Sequence, residues 1–357
     1  MGKRLFYVPA ALIAVASLAA VHMSGQAPSS ASKSGAAARA AAAKAESSVP
    51  AAVPAPKPAS KVEWTPSRTT DGQPDLTGYW TNATYTPLER PAEFAGREFF
   101  TIAEAAAYEK QRVQQFNSQA PDDIHYDNAI WQTETYTRGV ATLRTSLITD
   151  PKDGRIPPLT PEAQQRAAER AARRGNPADA VQNRTLAERC VTWGNDAPPM
   201  LPPGYYANLQ ILQGSGYVVV LTELIHTARL IPLDGRPHLA SRMHQLLGDS
   251  RGHWEGNTLV VDTTNFTDKT AFRGSGEKLH VVERLTRVDA DTIRYEFTVD
   301  DPTTWTRTWS AEVPMKRMQG PLFEYACSEG NYGVANILRG ARVEEAAKAA
   351  AVANAAK

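Results

Sequence analysis

The chain has 357 residues, and its 39 basic and 38 acidic side chains leave a net charge of +1. This near balance gives no electrostatic footprint for nucleic acid, so nucleic acid is not an expected partner. The sequence contains neither a glycine-rich phosphate loop nor an alternating strand–helix rhythm, which argues against a nucleotide-binding α/β fold.

The N-terminal segment has the features of a signal peptide. Lys3 and Arg4 form a positive n-region, and an apolar run covers residues 5–21. The sequence Gly25-Gln26-Ala27 approximates the small-x-small pattern of a cleavage site. We predict a signal peptide over residues 1–27, a periplasmic or secreted bacterial protein, and no membrane span after processing. The alternative is an uncleaved anchor, because the run is near the short limit for a bilayer span.

Composition divides the rest of the chain. Residues 28–62 are rich in Ala, Pro and Ser. They predict a disordered tether, because they cannot bury enough apolar surface to offset the entropy of ordering. Residues 63–342 are long enough for one folded domain with a sizeable core. The Ala-rich residues 343–357 are expected to form a tail or a frayed helix outside that core.

Two helices are predicted before the main run of strands. Thr101 and Glu104 form a capping box, which predicts a helix over about residues 101–116. The Thr-Pro-Glu sequence at 160–162 places a cap, a first-turn proline and an acid in order. It predicts a second helix over about residues 161–174.

From residue 205 onward, short β-prone runs alternate with turn residues. They predict a mainly β domain, in which an antiparallel meander closes into a barrel or folds into a sandwich. An open sheet would leave its edges exposed. The predicted runs are 206–212, 217–223, 228–233, 257–265, 279–288, 292–300, 305–313 and 322–327, and Trp254 precedes 257–265 across the turn Glu255-Gly256.

Long strings in the domain resemble a large family of secreted bacterial proteins. The resemblance covers nearly all of residues 70–342, and its strings include DLTGYWTN, DGRIPPLTPEAQ, GDSRGHWEGNTLVVDTTNF and FEYACSEGNYG. It implies a secreted domain and carries no activity to transfer. In addition, Gly78-Tyr79-Trp80 is similar to the Gly-x-Trp signature of lipocalins, which implies a barrel with an internal ligand pocket.

One predicted hairpin provides the principal candidate site. If Ala290-Asp291 is a two-residue loop, alternation of side chains places Arg284 on the apolar face and Glu283 on the solvent face. A buried guanidinium is costly without a partner, so Arg284 would bind either a structural carboxylate or an anionic ligand. The pairs expected on the apolar face are His280 with Asp301, Val282 with Val299, Arg284 with Phe297, and Thr286 with Tyr295.

Other residues extend the candidate site. Glu223 and His226 at a strand end, like His280 and Asp301, are candidates for acid–base catalysis, with an ordinary surface ion pair as the alternative. The candidate ligand-binding residues are aromatic side chains and arginines. The aromatic side chains either line an apolar pocket or fill the core, and the arginines would contact the polar group of a ligand. They are Arg284, Tyr295, Phe297, Trp80 and Arg229.

The cysteines and histidines carry two further predictions. Cys190 and Cys327 are the two cysteines of the chain. In an oxidising compartment they predict one disulfide, and buried free thiols are the alternative. The spacing of His238, His244 and His253 fits no standard set of metal ligands, so neither a metal nor a cofactor is expected.

These observations favour binding of a small hydrophobic or amphipathic molecule in a pocket of the barrel. A cofactor-independent hydrolase, lyase or isomerase is the first alternative, and it would use the histidine and carboxylate pairs for acid–base chemistry. A structural protein of the cell envelope is the second alternative.

Overall fold

A computed structural model describes residues 64–117, 142–173, 178–193, 196–203, 206–269 and 272–355. These residues belong to a compact unit that spans Lys61–Lys357. The predicted signal peptide and tether lie outside the described residues, so both stay predictions.

Within these ranges, a sheet of 10 antiparallel strands dominates the fold. The strands are β1 (Gly78–Thr81), β2 (Ile148–Asp150), β3 (Asn208–Gly214), β4 (Tyr217–Thr222), β5 (Ala228–Pro232), β6 (Asp249–Glu255), β7 (Thr258–Thr264), β8 (His280–Asp289), β9 (Thr292–Asp300) and β10 (Trp309–Arg317). Neighbouring strands follow the order β5-β4-β3-β1-β10-β9-β8-β7-β6, and β2 pairs with β10. The predicted mainly β fold is confirmed.

The sheet is nearly closed into a barrel. Its two terminal strands, β5 and β6, share no hydrogen-bonded ladder in the described residues. They nevertheless pack closely, because a Cβ atom added to Gly252 of β6 would lie 2.8 Å from a methyl group of Ile231 of β5 and 2.6 Å from one of Leu233. Glycine therefore permits the close approach that completes this lipocalin-like barrel.

The two ends of the barrel differ. Tight hairpins at 214–217, 255–258 and 289–292 close one end. The opposite end, here called the mouth, is where β3, β6, β8 and β10 begin. Among the described residues, the ends of β1, β4, β7 and β9 also lie at the mouth.

Large apolar side chains fill the barrel. Trp80, Trp309, Tyr295 and Phe297 are each at most 1% exposed. The rings of Phe297 and Trp309 pack edge to face at 5.8 Å, and aliphatic side chains from the surrounding strands complete the core. The aromatic residues considered as pocket walls are thus tightly packed core residues.

Three α-helices lie outside the sheet in the described residues. They are α1 (Ile102–Asn117), α2 (Pro161–Arg173) and α3 (Gly333–Ala355). The predicted capping box forms, since the Thr101 N–H donates to Glu104 Oε2 at 2.8 Å. The N–H of Ala163 donates to Thr160 Oγ1 at 3.1 Å at the start of α2. None of these helices is both long and apolar enough to cross a bilayer.

The register of the β8–β9 hairpin differs from the prediction by one residue. Asp289 pairs with Thr292 around the expected two-residue loop, but a bulge follows and Arg287 pairs with Ile293. Because side chains alternate, one extra residue exchanges the two faces of β8. Glu283 therefore points into the barrel, opposite Phe297, and Arg284 points out.

Candidate functional site

Arg284 lies on the outer face of the barrel, so its predicted place inside is wrong. Its side chain is 42% exposed, and its guanidinium is 2.7 Å from Glu255 Oε2. His280 also lies on the outer face, where it pairs with Asp300 rather than Asp301. The bulge in β8 is the physical reason for both corrections.

The charged residue at the centre of the barrel is Glu283. It is fully buried, and it faces Arg229, which is 4% exposed. One guanidinium nitrogen of Arg229 donates to Glu283 Oε1 at 3.1 Å, and the other lies 3.0 Å from Oε2. Tyr295 donates its hydroxyl to the same carboxylate at 2.8 Å. Arg229, a predicted site residue, is thus the buried arginine of the barrel.

Tyr295 connects this pair to the mouth. The N–H of Met200 donates to the Tyr295 hydroxyl at 2.9 Å, and Asn82 donates to the carbonyl of Met200 at 3.1 Å. Burial and the nearby Glu283 raise the pKa of Tyr295 far above its ordinary value, which keeps its proton available for donation. Residues 198–203, here called the plug, are therefore held in the mouth by the barrel itself.

Asp196 holds the chain just before the plug. Its buried carboxylate accepts hydrogen bonds from the hydroxyls of Thr222 and Thr227, each at 3.1 Å, and from the N–H of Trp193 at 2.8 Å. Burial raises the pKa of Asp196, and these hydrogen bonds oppose the shift. Sequence reasoning missed this residue, because its partners lie in distant strands and loops.

A cleft of about 610 Å³ lies over the plug and is here called the mouth cleft. A second cleft of about 440 Å³, the side cleft, shares Leu201, Pro202, Pro203 and Arg273 with it. The apolar wall of the mouth cleft consists of Leu186, Ala187, Trp193, Ala197, Pro198, Leu201, Pro202, Pro203, Phe266, Phe272 and Leu279. The open space of the mouth thus lies above the filled barrel.

Asp301, a predicted catalytic residue, builds one side of this mouth. It is buried and accepts hydrogen bonds from the hydroxyls of Thr303 and Thr304, each at 2.7 Å. It also accepts the N–H of Gly276 at 3.3 Å, which fastens the loop before β8. In that loop, Phe272 stacks on Trp309 at 6.2 Å. Asp301 thus positions a loop that lines the cleft, while Asp301 itself is outside the described lining.

The candidate residues near the end of β4, Glu223, His226 and Arg229, have side chains in three different environments. Glu223 is buried; it accepts a hydrogen bond from Asn208 at 2.7 Å and one from the N–H of Phe323 at 3.2 Å. Burial raises the pKa of Glu223. The side chain of His226 is exposed, and that of Arg229 enters the barrel. No predicted imidazole–carboxylate pair is formed by hydrogen bonds of the described residues.

A different histidine array lies on the outer face of β6, β7 and β8. Asp262 joins two imidazoles, with His280 Nε2 at 2.9 Å and His238 Nε2 at 2.9 Å. His238 Nδ1 lies 3.0 Å from Asp249 Oδ2. Among the described residues, no group of three or more His, Cys, Asp or Glu side chains is arranged to hold a metal ion.

The histidine array makes stability depend on pH. The hydrogen bond that His280 donates to Asp262 raises the pKa of His280 above its ordinary value of 6.5, with contributions from the charges of Asp262 and Asp300, whereas burial opposes the shift. The stabilisation from protonated His280 is therefore complete below about pH 6.5 and is lost as the pH rises through the raised pKa.

The His280→Gln variant tests this dependence. Its denaturation midpoint should fall less steeply than that of the unmodified protein between about pH 6 and pH 8, because the titrating group is gone. His253→Gln, at an exposed histidine on β6, is the matched control. Chemical denaturation at several pH values measures both profiles. An equal flattening in both variants would contradict the assignment to His280.

The predicted disulfide is confirmed. Cys190 and Cys327 are bonded, with their Cα atoms 5.6 Å apart and 137 positions of chain between them. The bond joins the segment that lines the mouth cleft at residues 185–187 to the chain that leads into α3. A disulfide of this kind fits an oxidising compartment.

Comparisons of the chain with protein-family models and with curated proteins found no match. The resemblance to secreted bacterial proteins therefore stays a prediction. The assignment of function rests on the barrel, the disulfide and the geometry of the mouth.

Proposed function

We propose that the protein binds a small hydrophobic or amphipathic molecule in the mouth cleft. The observation that carries the proposal is the volume of about 610 Å³ behind a largely apolar wall. Small-molecule sites in proteins commonly have volumes of about 300–1,000 Å³, apolar and aromatic walls and few polar groups. The cleft matches this description in size and in chemistry.

The filled interior of the barrel explains why the mouth is the proposed place. Met200 enters the barrel from above and is only 1% exposed, so the plug forms the floor of the cleft. The hydrogen bonds of Met200 to Tyr295 and Asn82 fix this floor before any ligand arrives. A preformed wall lowers the entropy lost on binding.

Binding is favoured over acid–base catalysis by the placement of the candidate residues. His280 belongs to the outer array with Asp262, and the side chain of His226 is exposed. Glu223 is held by an amide and a backbone N–H. The described lining of the mouth cleft contains no histidine and no carboxylate. A periplasmic location is part of the proposal, supported by the disulfide and the predicted signal peptide.

A charge introduced into the cleft tests the proposal. Leu201 lines both clefts, so Leu201→Asp should weaken binding of a neutral hydrophobic probe such as phenylnaphthylamine by about tenfold or more, because a charge disfavours apolar contact. Leu230→Asp, at a 58% exposed leucine on the outer face, is the control and should bind normally. Fluorescence titration measures both. Equal loss in the two variants, or no binding by the unmodified protein, would contradict the proposal.

A further inference from the structure

We infer that the ligand is an amphipathic anion, whose charged group binds Arg273 while its apolar part lies in the mouth cleft. The inference rests on the proposed function, and it adds the chemical class of the ligand. Arg273 belongs to the loop between β7 and β8 and contributes to the walls of both clefts.

The charged side chains in the described lining of the two clefts are all basic. Lys269 and Arg273 line the mouth cleft, and Arg112 and Arg273 line the side cleft. The described lining residues include no Asp and no Glu. Cations above an apolar wall complement a molecule that has a negative head and an apolar chain.

Arg273 differs from Arg229 and Arg284 because, among the described residues, no carboxylate pairs with its guanidinium. Arg229 binds Glu283, and Arg284 binds Glu255. Arg273 forms no hydrogen bond or ion pair with any described residue. Arg273 is exposed to solvent in the cleft. Desolvation by the surrounding protein nevertheless lowers its pKa, and the charge of Glu89 opposes the shift. A bound anion would supply a close partner that the described residues do not.

Geometry makes the guanidinium suitable for this role. Its planar fork presents parallel N–H donors, which match the two oxygens of a carboxylate or the oxygens of a sulfate. The Arg273 backbone has a φ of 47°, in the left-handed region that non-glycine residues rarely adopt. Phe272, stacked on Trp309, and Gly276, bonded to Asp301, hold the loop on either side of this position.

A second polar group lies in the same wall. Ser275 lines the mouth cleft and is fully buried, and its hydroxyl has no hydrogen-bond partner in the described residues. A buried hydroxyl without a partner costs free energy. Ser275 lies two positions after Arg273 in the same loop, and both residues line the mouth cleft. In the inferred complex, an oxygen of the ligand head bound by Arg273 accepts the proton of this hydroxyl.

The experiment compares ligands that share one chain and differ in head group. Decanoate, decyl sulfate, neutral decanol and decyltrimethylammonium are titrated against the full chain by displacement of bound phenylnaphthylamine. We expect the two anions to bind at least about tenfold more tightly than decanol, and the cation to bind more weakly than decanol.

Three variants test whether Arg273 causes the preference for anionic ligands. Arg273→Met should reduce the advantage of the anions over decanol to about twofold or less and leave decanol binding unchanged. Arg273→Lys should keep part of the advantage, because it retains the charge and loses the planar fork. Arg284→Met, which removes an exposed arginine of the outer face, is the matched control and should keep the full preference.

The outcomes separate the two proposals. If none of the four ligands displaces the probe and the probe itself does not bind, the proposed function fails. If decanol binds as tightly as decanoate, or if Arg273→Met keeps the preference for anions, the cleft still binds ligands but the inference is wrong. Thermal denaturation of each variant establishes that the comparison is made on folded protein.

Discussion

Replacing Arg229 by methionine is expected to lower the free energy of unfolding by about 3–5 kcal/mol. The substitution leaves the carboxylate of Glu283 without a cation in the barrel, where its side chain is fully buried. Tyr295 alone would still donate to it. Urea denaturation, with the slope compared between variants, measures the loss.

A second substitution should restore most of this stability. In the double variant Arg229→Met with Glu283→Gln, the stranded charge is gone, while the amide oxygen still accepts the hydroxyl of Tyr295. The double variant should therefore be more stable than Arg229→Met by about 2 kcal/mol or more. A double variant no more stable than the single one would show that the cost comes from packing, not from the unpaired carboxylate.

Arg284→Met provides the matched control for this experiment. The same substitution on the outer face removes an ion pair whose partners are 42% and 49% exposed. Exposed ion pairs of this kind contribute about 1 kcal/mol or less. Equal losses at Arg229 and Arg284 would contradict the assignment of inner and outer faces in the barrel.

The secondary structure could be predicted because its signals are local. Thr101 and Glu104 define the start of α1 by their own hydrogen bonds. Turn residues between β-prone runs predicted the hairpins that close one end of the barrel. The disulfide followed from having two cysteines and a predicted oxidising compartment. Each of these inferences needed only a few neighbouring residues or the composition of the chain.

The sequence could not predict which set of alternating side chains of β8 points into the barrel, because each set combines apolar residues with a charged one. One phase contains Val282 and Arg284, and the other contains Val281, Glu283 and Leu285. The choice depends on the bulge near the loop and on Arg229, which lies 54 positions away along the chain. Alternation alone therefore gave no preference between an inward arginine and an inward glutamate.

The mouth cleft is a property of the closed fold. Arg273 lies in a loop between strands, where no periodicity marks its direction. It reaches the plug because β3, β8 and β10 begin at the same end of the barrel. The plug in turn is placed by Tyr295 and Asn82, which belong to parts of the chain distant from it. Sequence reasoning could predict the barrel but not which residues would line the cleft at its mouth.

Reduction of the Cys190–Cys327 disulfide is expected to destabilise the protein by about 4–5 kcal/mol, since the bond closes a loop of 137 positions and restricts the unfolded chain. Denaturation with and without reductant measures the effect. The double variant Cys190→Ser with Cys327→Ser is the control. It should be less stable than the oxidised unmodified protein, and its stability should not change when reductant is added. Because the bond adjoins residues 185–187 of the mouth cleft, reduction should also weaken binding of the neutral probe. Free thiols in denatured, unreduced protein would contradict the bond itself. An unchanged midpoint after reduction would show that the barrel is stable without it.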